Sequence, residues 1–140
     1  MEIIFKILPA LVLTGALMAF TTDQPVKGKY RWDFEIQGSG VQTSVHEFAE
    51  DHILYTMKGP AYTVAYRMDI VEHEKNRYVL KGAEGSPKSG RYFVIFLKDL
   101  TPDALTMYKK EFSTLEEATA FPQPEADNTE SHGWNVYTKV

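Results

Sequence analysis

Tyr30, Trp32, Phe34, Tyr55, Tyr62, Tyr66 and Tyr92 are the side chains best suited to do something chemical in this chain. They offer apolar area and, in most cases, a hydrogen-bonding tip. Gathered on an inner face, such residues hold a small apolar or aromatic ligand and orient its polar end. They can also simply fill a small barrel, whose interior needs side chains in any case. The hydroxyls tip the reading toward a cavity. Each buried one needs a partner, and a core with no other duty would use Phe or Leu more cheaply. Trp32, Tyr55, Tyr62, Tyr66 and Tyr92 are therefore the expected ligand-binding residues.

Other constellations carry less. His46 and His52 flank one hairpin turn, with Glu47, Glu50 and Asp51 between them. A hairpin could bring them together as metal ligands if His132 or a further carboxylate joined them. The spacing matches no zinc motif, and solvated turn residues are the simpler reading. Ser44 and Ser113 have no nucleophile-elbow context. Asp33 and Glu35 share the wet face of a strand, as do Arg67 and Asp69. The glycines of Gly82 to Gly90 are followed by no helix N-terminus that could cradle a phosphate. No catalytic residue, metal ligand or cofactor is expected, and binding is favoured over catalysis.

The elements that must position the aromatics are strands. In Tyr30 to Gln37, Tyr30, Trp32, Phe34 and Ile36 alternate with Arg31, Asp33, Glu35 and Gln37. That period of two belongs to a strand packed on one side and wet on the other. In Val41 to Phe48, Val41, Thr43 and Val45 lie opposite Gln42, Ser44 and His46; Phe48 breaks the alternation, as a bulge would. Ile53, Tyr55 and Met57 form a third apolar face. A corner at Lys58-Gly59-Pro60 leads to a long strand on which Tyr62, Val64, Tyr66, Met68 and Ile70 recur at every other position. Tyr78 to Lys81, Ala104 to Lys109 and the closing GWNVYTKV are further strands. Tyr92 to Leu97 is apolar on both faces and must be covered from both sides. The cover is expected from a helix over 113–121, started by Ser113 and Glu116 with capping-box spacing and stopped by Pro122.

About eight antiparallel strands in a chain of this length suit a small up-and-down barrel, because closure removes exposed edges. The Gly28-x-x-x-Trp32 pattern at the first strand, the meander, and the late helix with a terminal strand resemble the calycin, or lipocalin-like, superfamily over residues 28–140. The resemblance implies a barrel with a small-molecule cavity at one end.

Length and composition agree. The chain has 140 residues, one domain's worth, and a formal charge of −4 with scattered Lys and Arg. No basic footprint for nucleic acid is visible. The absence of cysteine excludes disulfides, thiolate metal sites, a Cys nucleophile and a lipoprotein anchor. Lys6 precedes an apolar run from Ile7 to Phe20, which gives way to Thr21-Thr22-Asp23. That is the pattern of a secretory signal peptide, and the run is short against the about 20 apolar residues of a membrane span. An uncleaved N-terminal anchor is the alternative, and the only membrane contact expected. The expected organisation is a signal segment over 1–22, with its own helix, and one barrel over 23–140, exported to the periplasm or beyond. The leading function is a small-molecule-binding module; a protein-interaction or inhibitor module with a filled barrel is the alternative.

Overall fold

The computed structural model describes residues 26–140. The expected signal segment at 1–22, its helix and its cleavage site lie outside the described residues. Strands β1 (Gly28–Ile36), β2 (Gly40–Phe48), β3 (His52–Gly59), β4 (Tyr62–Glu74), β5 (Arg77–Gly82), β6 (Tyr92–Lys98) and β7 (Ala104–Phe112) follow one another. Helix α1 (Leu115–Ala120), a 3-10 turn (Glu130–His132) and β8 (Asn135–Lys139) complete the chain. Each strand pairs antiparallel with the next, and β8 returns to β1, so the sheet is a closed eight-stranded barrel. Among the described residues no helix is long and apolar enough to cross a membrane.

The seam that closes the barrel is short. β8 meets β1 at Tyr30↔Lys139 and Arg31↔Thr138, helped by a hydrogen bond from Val140 N to the Lys29 carbonyl at 2.9 Å. The opposite edge of β8 runs along β7 from Ala104 to Met107. β1 and β7 both continue past β8, which leaves one end of the barrel open between them.

The inner faces fill the other end. Ile53, Met68, Tyr78, Leu80, Ile95, Leu97 and Leu105 are buried there, each large aliphatic contributing roughly 1.5–3 kcal/mol by leaving water. Val26 packs on this core, and its N–H donates to Tyr78 Oη at 3.4 Å. On β4 the alternation of Tyr66, Met68 and Ile70 does point inward, as its periodicity requires.

β2 departs from its sequence pattern. Gln42, Ser44, His46 and Phe48 face the interior and are almost fully buried, while Val41 is 57% exposed. The expected bulge at Phe48 is absent, since the pairing with β1 runs unbroken from Gly28↔Phe48 to Ile36↔Gly40. Phe48 does not break the alternation but belongs to the inner row, and a one-residue change of phase exchanges the two faces completely. The irregularity of the sheet lies elsewhere, between Ile70 and Glu72 on β4.

β6 is covered on both sides. Phe93, Ile95 and Leu97 join the inner core; Val94 and Phe96, with Tyr108 of β7, form an outer cluster under Phe112, Phe121 and Trp134. The rings of Phe96, Tyr108 and Phe112 meet that of Phe121 at 5.2–6.2 Å. Arg77 donates to the Ala118 and Thr119 carbonyls at the end of α1. The helix is shorter than 113–121 and its cap is one residue further on. Thr114 Oγ1 accepts from Glu117 N at 3.2 Å, and the Glu117 carboxylate accepts from Thr114 N at 3.3 Å. Ser113 instead accepts from Arg91 at 3.3 Å. Both Ser113/Glu116 and Thr114/Glu117 satisfy the spacing, so spacing could not choose. Thr114→Ala is expected to lower stability by about 1 kcal/mol, and Ser113→Ala by about 0.5 kcal/mol or less, in urea denaturation.

Candidate functional site

The open end of the barrel holds a cavity of about 320 Å³, at the small end of the roughly 300–1,000 Å³ typical of ligand sites. Its walls come from almost every strand. β1 gives Trp32, β2 Ser44 and His46, β3 Tyr55 and Met57, and β4 Tyr66. β6 gives Phe93, β7 Met107, Lys109 and Glu111, and β8 Asn135 and Tyr137. Alternation explains each contribution, because every one of these positions lies in phase with its strand's core residues.

Trp32, Tyr55 and Tyr66 are thus brought together on the lining. Tyr55 and Tyr66 are cross-strand partners with ring centroids 4.8 Å apart. Tyr62 stands higher, 44% exposed, with its hydroxyl donating to the side-chain amide oxygen of Gln42; it marks the barrel rim and does not line the cavity. Tyr92 does not line it either. Phe93 takes the inward position on β6, and strand alternation turns Tyr92 away.

The lining also contains a polar cluster that periodicity did not single out. Lys109 Nζ donates to Tyr66 Oη at 3.0 Å and lies 3.3 Å from His46 Nε2. It sits 3.7 Å from the centroid of the Tyr55 ring, 5.0 Å from that of Tyr66 and 5.3 Å from that of Phe93. Beside it, Ser44 Oγ and Tyr137 Oη share a hydrogen bond of 2.8 Å. His46 is 1% exposed, and its Nδ1 has no hydrogen-bond partner among the described residues. The reading of His46 as a solvated turn residue is therefore corrected: it is an interior residue, carried inward by the phase of β2. His52 remains outside, its Nδ1 2.6 Å from Asp51 Oδ1. His132 lies over Trp32 and Phe34 at the mouth, with centroids 6.5 and 6.2 Å apart. No group of three or more His, Cys, Asp or Glu among the described residues is placed to hold a metal ion.

A signal for Lys109 was present in the sequence. Leu105, Met107, Lys109 and Glu111 form one row of β7, and the row simply turns from apolar to charged halfway along. The strand runs on to Phe112, beyond the expected end at Lys109, and its phase places both residues on the cavity lining.

Burial governs the protonation of this cluster. Lys109 keeps some exposed surface as a residue, but its ammonium sits among rings, and burial pulls its pKa down to about 7 from 10.5. Glu111 opposes that shift and Lys88 reinforces it. Burial, then the neighbouring Lys109 charge, holds the His46 imidazole well below its usual 6.5. Burial also raises the Tyr66 and Tyr137 phenols. Burial pushes the Glu111 carboxylate up, but Lys88 at 2.9 Å and Arg91 at 2.5 Å together outweigh it and hold the group low. Gly82 supports this clamp: a side chain there would overlap the Lys88 carbonyl, so glycine lets the 83–91 loop lie against β5.

Comparison with models of protein families, with curated protein sequences and with solved structures returned no match. The class is defined by the molecule itself: a closed eight-stranded antiparallel β-barrel whose open end is an aromatic cavity with a cationic, hydroxyl-rich floor.

The cluster makes stability depend on pH in a definite direction. Between about 7 and 10.5 the unfolded chain holds a proton on Lys109 that the folded state gives up. Stability therefore rises with pH across that window. On the acid side, His46 is neutral when folded and charged when unfolded, so stability falls as pH drops through 6.5. Above 10 the raised phenols of Tyr66 and Tyr137 act the other way, and stability falls with rising pH. Urea denaturation as a function of pH should show this profile. Lys109→Met should flatten the rise above pH 7 and stabilise the neutral protein by about 1 kcal/mol or more.

Proposed function

We propose that this protein is an exported binding module of calycin type that holds a small, largely apolar or aromatic molecule in the open end of its barrel. The carrying observation is the cavity of about 320 Å³, lined by Trp32, Tyr55, Tyr66 and Phe93 around the Lys109–His46 cluster. A barrel serving only as a scaffold would fill this end as it fills the other. It would not place a lysine and a histidine inside, where each costs stability unless something pairs with it. Functional sites are where such perturbed groups collect. The same cavity favours a ligand-holding module over an interaction module with a filled barrel. The calycin assignment is supported by the eight-stranded meander, by closure, and by a cavity at one end. Export is supported by the signal-like pattern of the first residues.

Roles follow from position. Trp32, Phe93, Met57 and Met107 offer apolar walls, and Tyr55 and Tyr66 offer a ring and a hydroxyl each. Ser44, Tyr137 and Lys109 present the polar floor.

The protein has two tryptophans, and Trp134 packs outside on Tyr108 at 5.6 Å between centroids. Trp134→Phe therefore leaves Trp32 at the cavity as the sole tryptophan reporter. Titration of that variant with small aromatic and aliphatic compounds is expected to give saturable changes in emission, with one molecule bound in native mass spectrometry. Tyr66→Phe should fold normally and weaken binding about 2- to 10-fold, the worth of one hydrogen bond. A protein that binds none of the compounds by either method is not a small-molecule carrier.

A further inference from the structure

We propose that the polar end of the ligand is a carboxylate seated against Lys109, so that the cavity selects small monocarboxylic acids over their neutral isosteres. This rests on the reading of the cavity as a ligand site and names what that site takes.

Among the described residues no carboxylate lies within ion-pair distance of Lys109, although it lines an interior cavity. The nearest candidate, Glu111, is the next inward position of β7. Its two oxygens are already committed, Oε1 to Lys88 and Oε2 to Arg91. Around this end of the barrel one carboxylate therefore faces the cations Lys88, Arg91 and Lys109. Lys109 Nζ has found one hydroxyl, Tyr66 Oη, and one imidazole nitrogen. An ammonium carries three donors, so it has capacity left. The faces of Tyr55, Tyr66 and Phe93 stand where a counter-ion would be, and ring quadrupoles compensate a cation only in part. His46 adds a second nitrogen with no partner, buried in the same wall.

A carboxylate answers these features together. It supplies the missing negative charge and accepts from Lys109 in a charge-assisted bond, the stronger kind. Ser44 and Tyr137, which share a hydrogen bond of 2.8 Å, leave one hydroxyl hydrogen between them free to donate. The rest of such a molecule meets Trp32, Met57, Phe93 and Met107, which are apolar. The volume limits the body to a single ring or a short aliphatic chain.

Protonation then becomes linked to binding. The titratable and charged groups that face Lys109 are His46 from β2, Tyr55 from β3, Tyr66 from β4, Glu111 from β7, Tyr137 from β8, and Lys88 from the 83–91 loop. Burial keeps His46 neutral and the tyrosines protonated, and its cation pair keeps Glu111 ionised. Lys109 is the member whose charge changes between neutral and mildly alkaline pH. Binding of an acid takes up a proton there; binding of the matching amide does not.

The test uses two matched pairs of probes, trans-cinnamate with trans-cinnamamide and octanoate with octanamide, in calorimetric titrations of the folded protein. At slightly acidic pH at least one acid is expected to bind about tenfold or more tighter than its amide. The advantage should shrink as pH rises above 7 while the amide's affinity stays level. Lys109→Met and Lys109→Gln should reduce the preference to about twofold or less; having two variants guards against one that fails to fold. Equal binding of acid and amide by the wild-type protein overturns the proposal and leaves the cavity a site for neutral ligands. A preference that survives in both folded variants also overturns it, by placing the anion elsewhere. Failure of all four probes to bind overturns the underlying reading of the cavity as well.

Discussion

The structure depends on a seam of two residue pairs. Tyr30↔Lys139 and Arg31↔Thr138 join the first strand to the last, and without them β1 and β8 would be open edges with unpaired backbone groups. The seam is short because β8 runs only from Asn135 to Lys139, against nine residues in β1. Closure is thus complete at one end and partial at the other. At the partial end Ser131, His132 and Gly133, just before β8, become cavity wall. Ser131 and His132 adopt left-handed backbone angles to do so. The mouth is a product of how far the last strand reaches.

The interior divides accordingly. At the closed end, Ile53, Met68, Leu80, Ile95, Leu97 and Leu105 pack as an ordinary core, with Val26 across the bottom. That half supplies the stability. At the open end the same rows of inward positions carry Ser44, His46, Tyr55, Tyr66, Lys109 and Tyr137. Among them His46 Nδ1 has no hydrogen-bond partner among the described residues, and burial sets the protonation of His46, Tyr66, Lys109 and Tyr137. Groups of this kind cost stability where they stand, which the packed half must offset.

The outer face of the barrel is wet except at one place. Val94, Phe96 and Tyr108 face outward and are buried, because α1 and the residues after it lie over β6 and β7. Phe121 sits at the centre of that patch, touching the rings of Phe96, Tyr108 and Phe112. Trp134 closes it from the far side, its Nε1 donating to the Glu125 carbonyl at 3.0 Å and its ring under Lys98. The outer cluster therefore holds down both ends of the segment that leads to β8. It links the helix to the seam, and through the seam to the mouth.

Strand identity, turn positions and the need for a cover over Tyr92 to Leu97 were legible in the amino-acid sequence alone. They follow from short-range rules: period-two alternation, turn-forming residues, and a run apolar on both faces. The inward row of β4, with Tyr66, and the inward rows of β1 and β3, with Trp32 and Tyr55, could be read for the same reason. What only the tertiary structure decided is which face of an ambiguous strand turns inside. β2 carries Val41, Thr43 and Val45 on one face and Gln42, Ser44 and His46 on the other, and it is the more polar face that is buried. Its phase is set by pairing with β1 and β3, where His46 stands opposite Tyr30 and Tyr55. β7 likewise carries Leu105 and Met107 into Lys109 and Glu111 without changing face. The cluster of His46, Tyr66 and Lys109 joins residues from three strands far apart in the chain. Local pattern assigns polar residues to water, but closure brings them inside, because in a barrel the inner row is fixed by register and not by polarity.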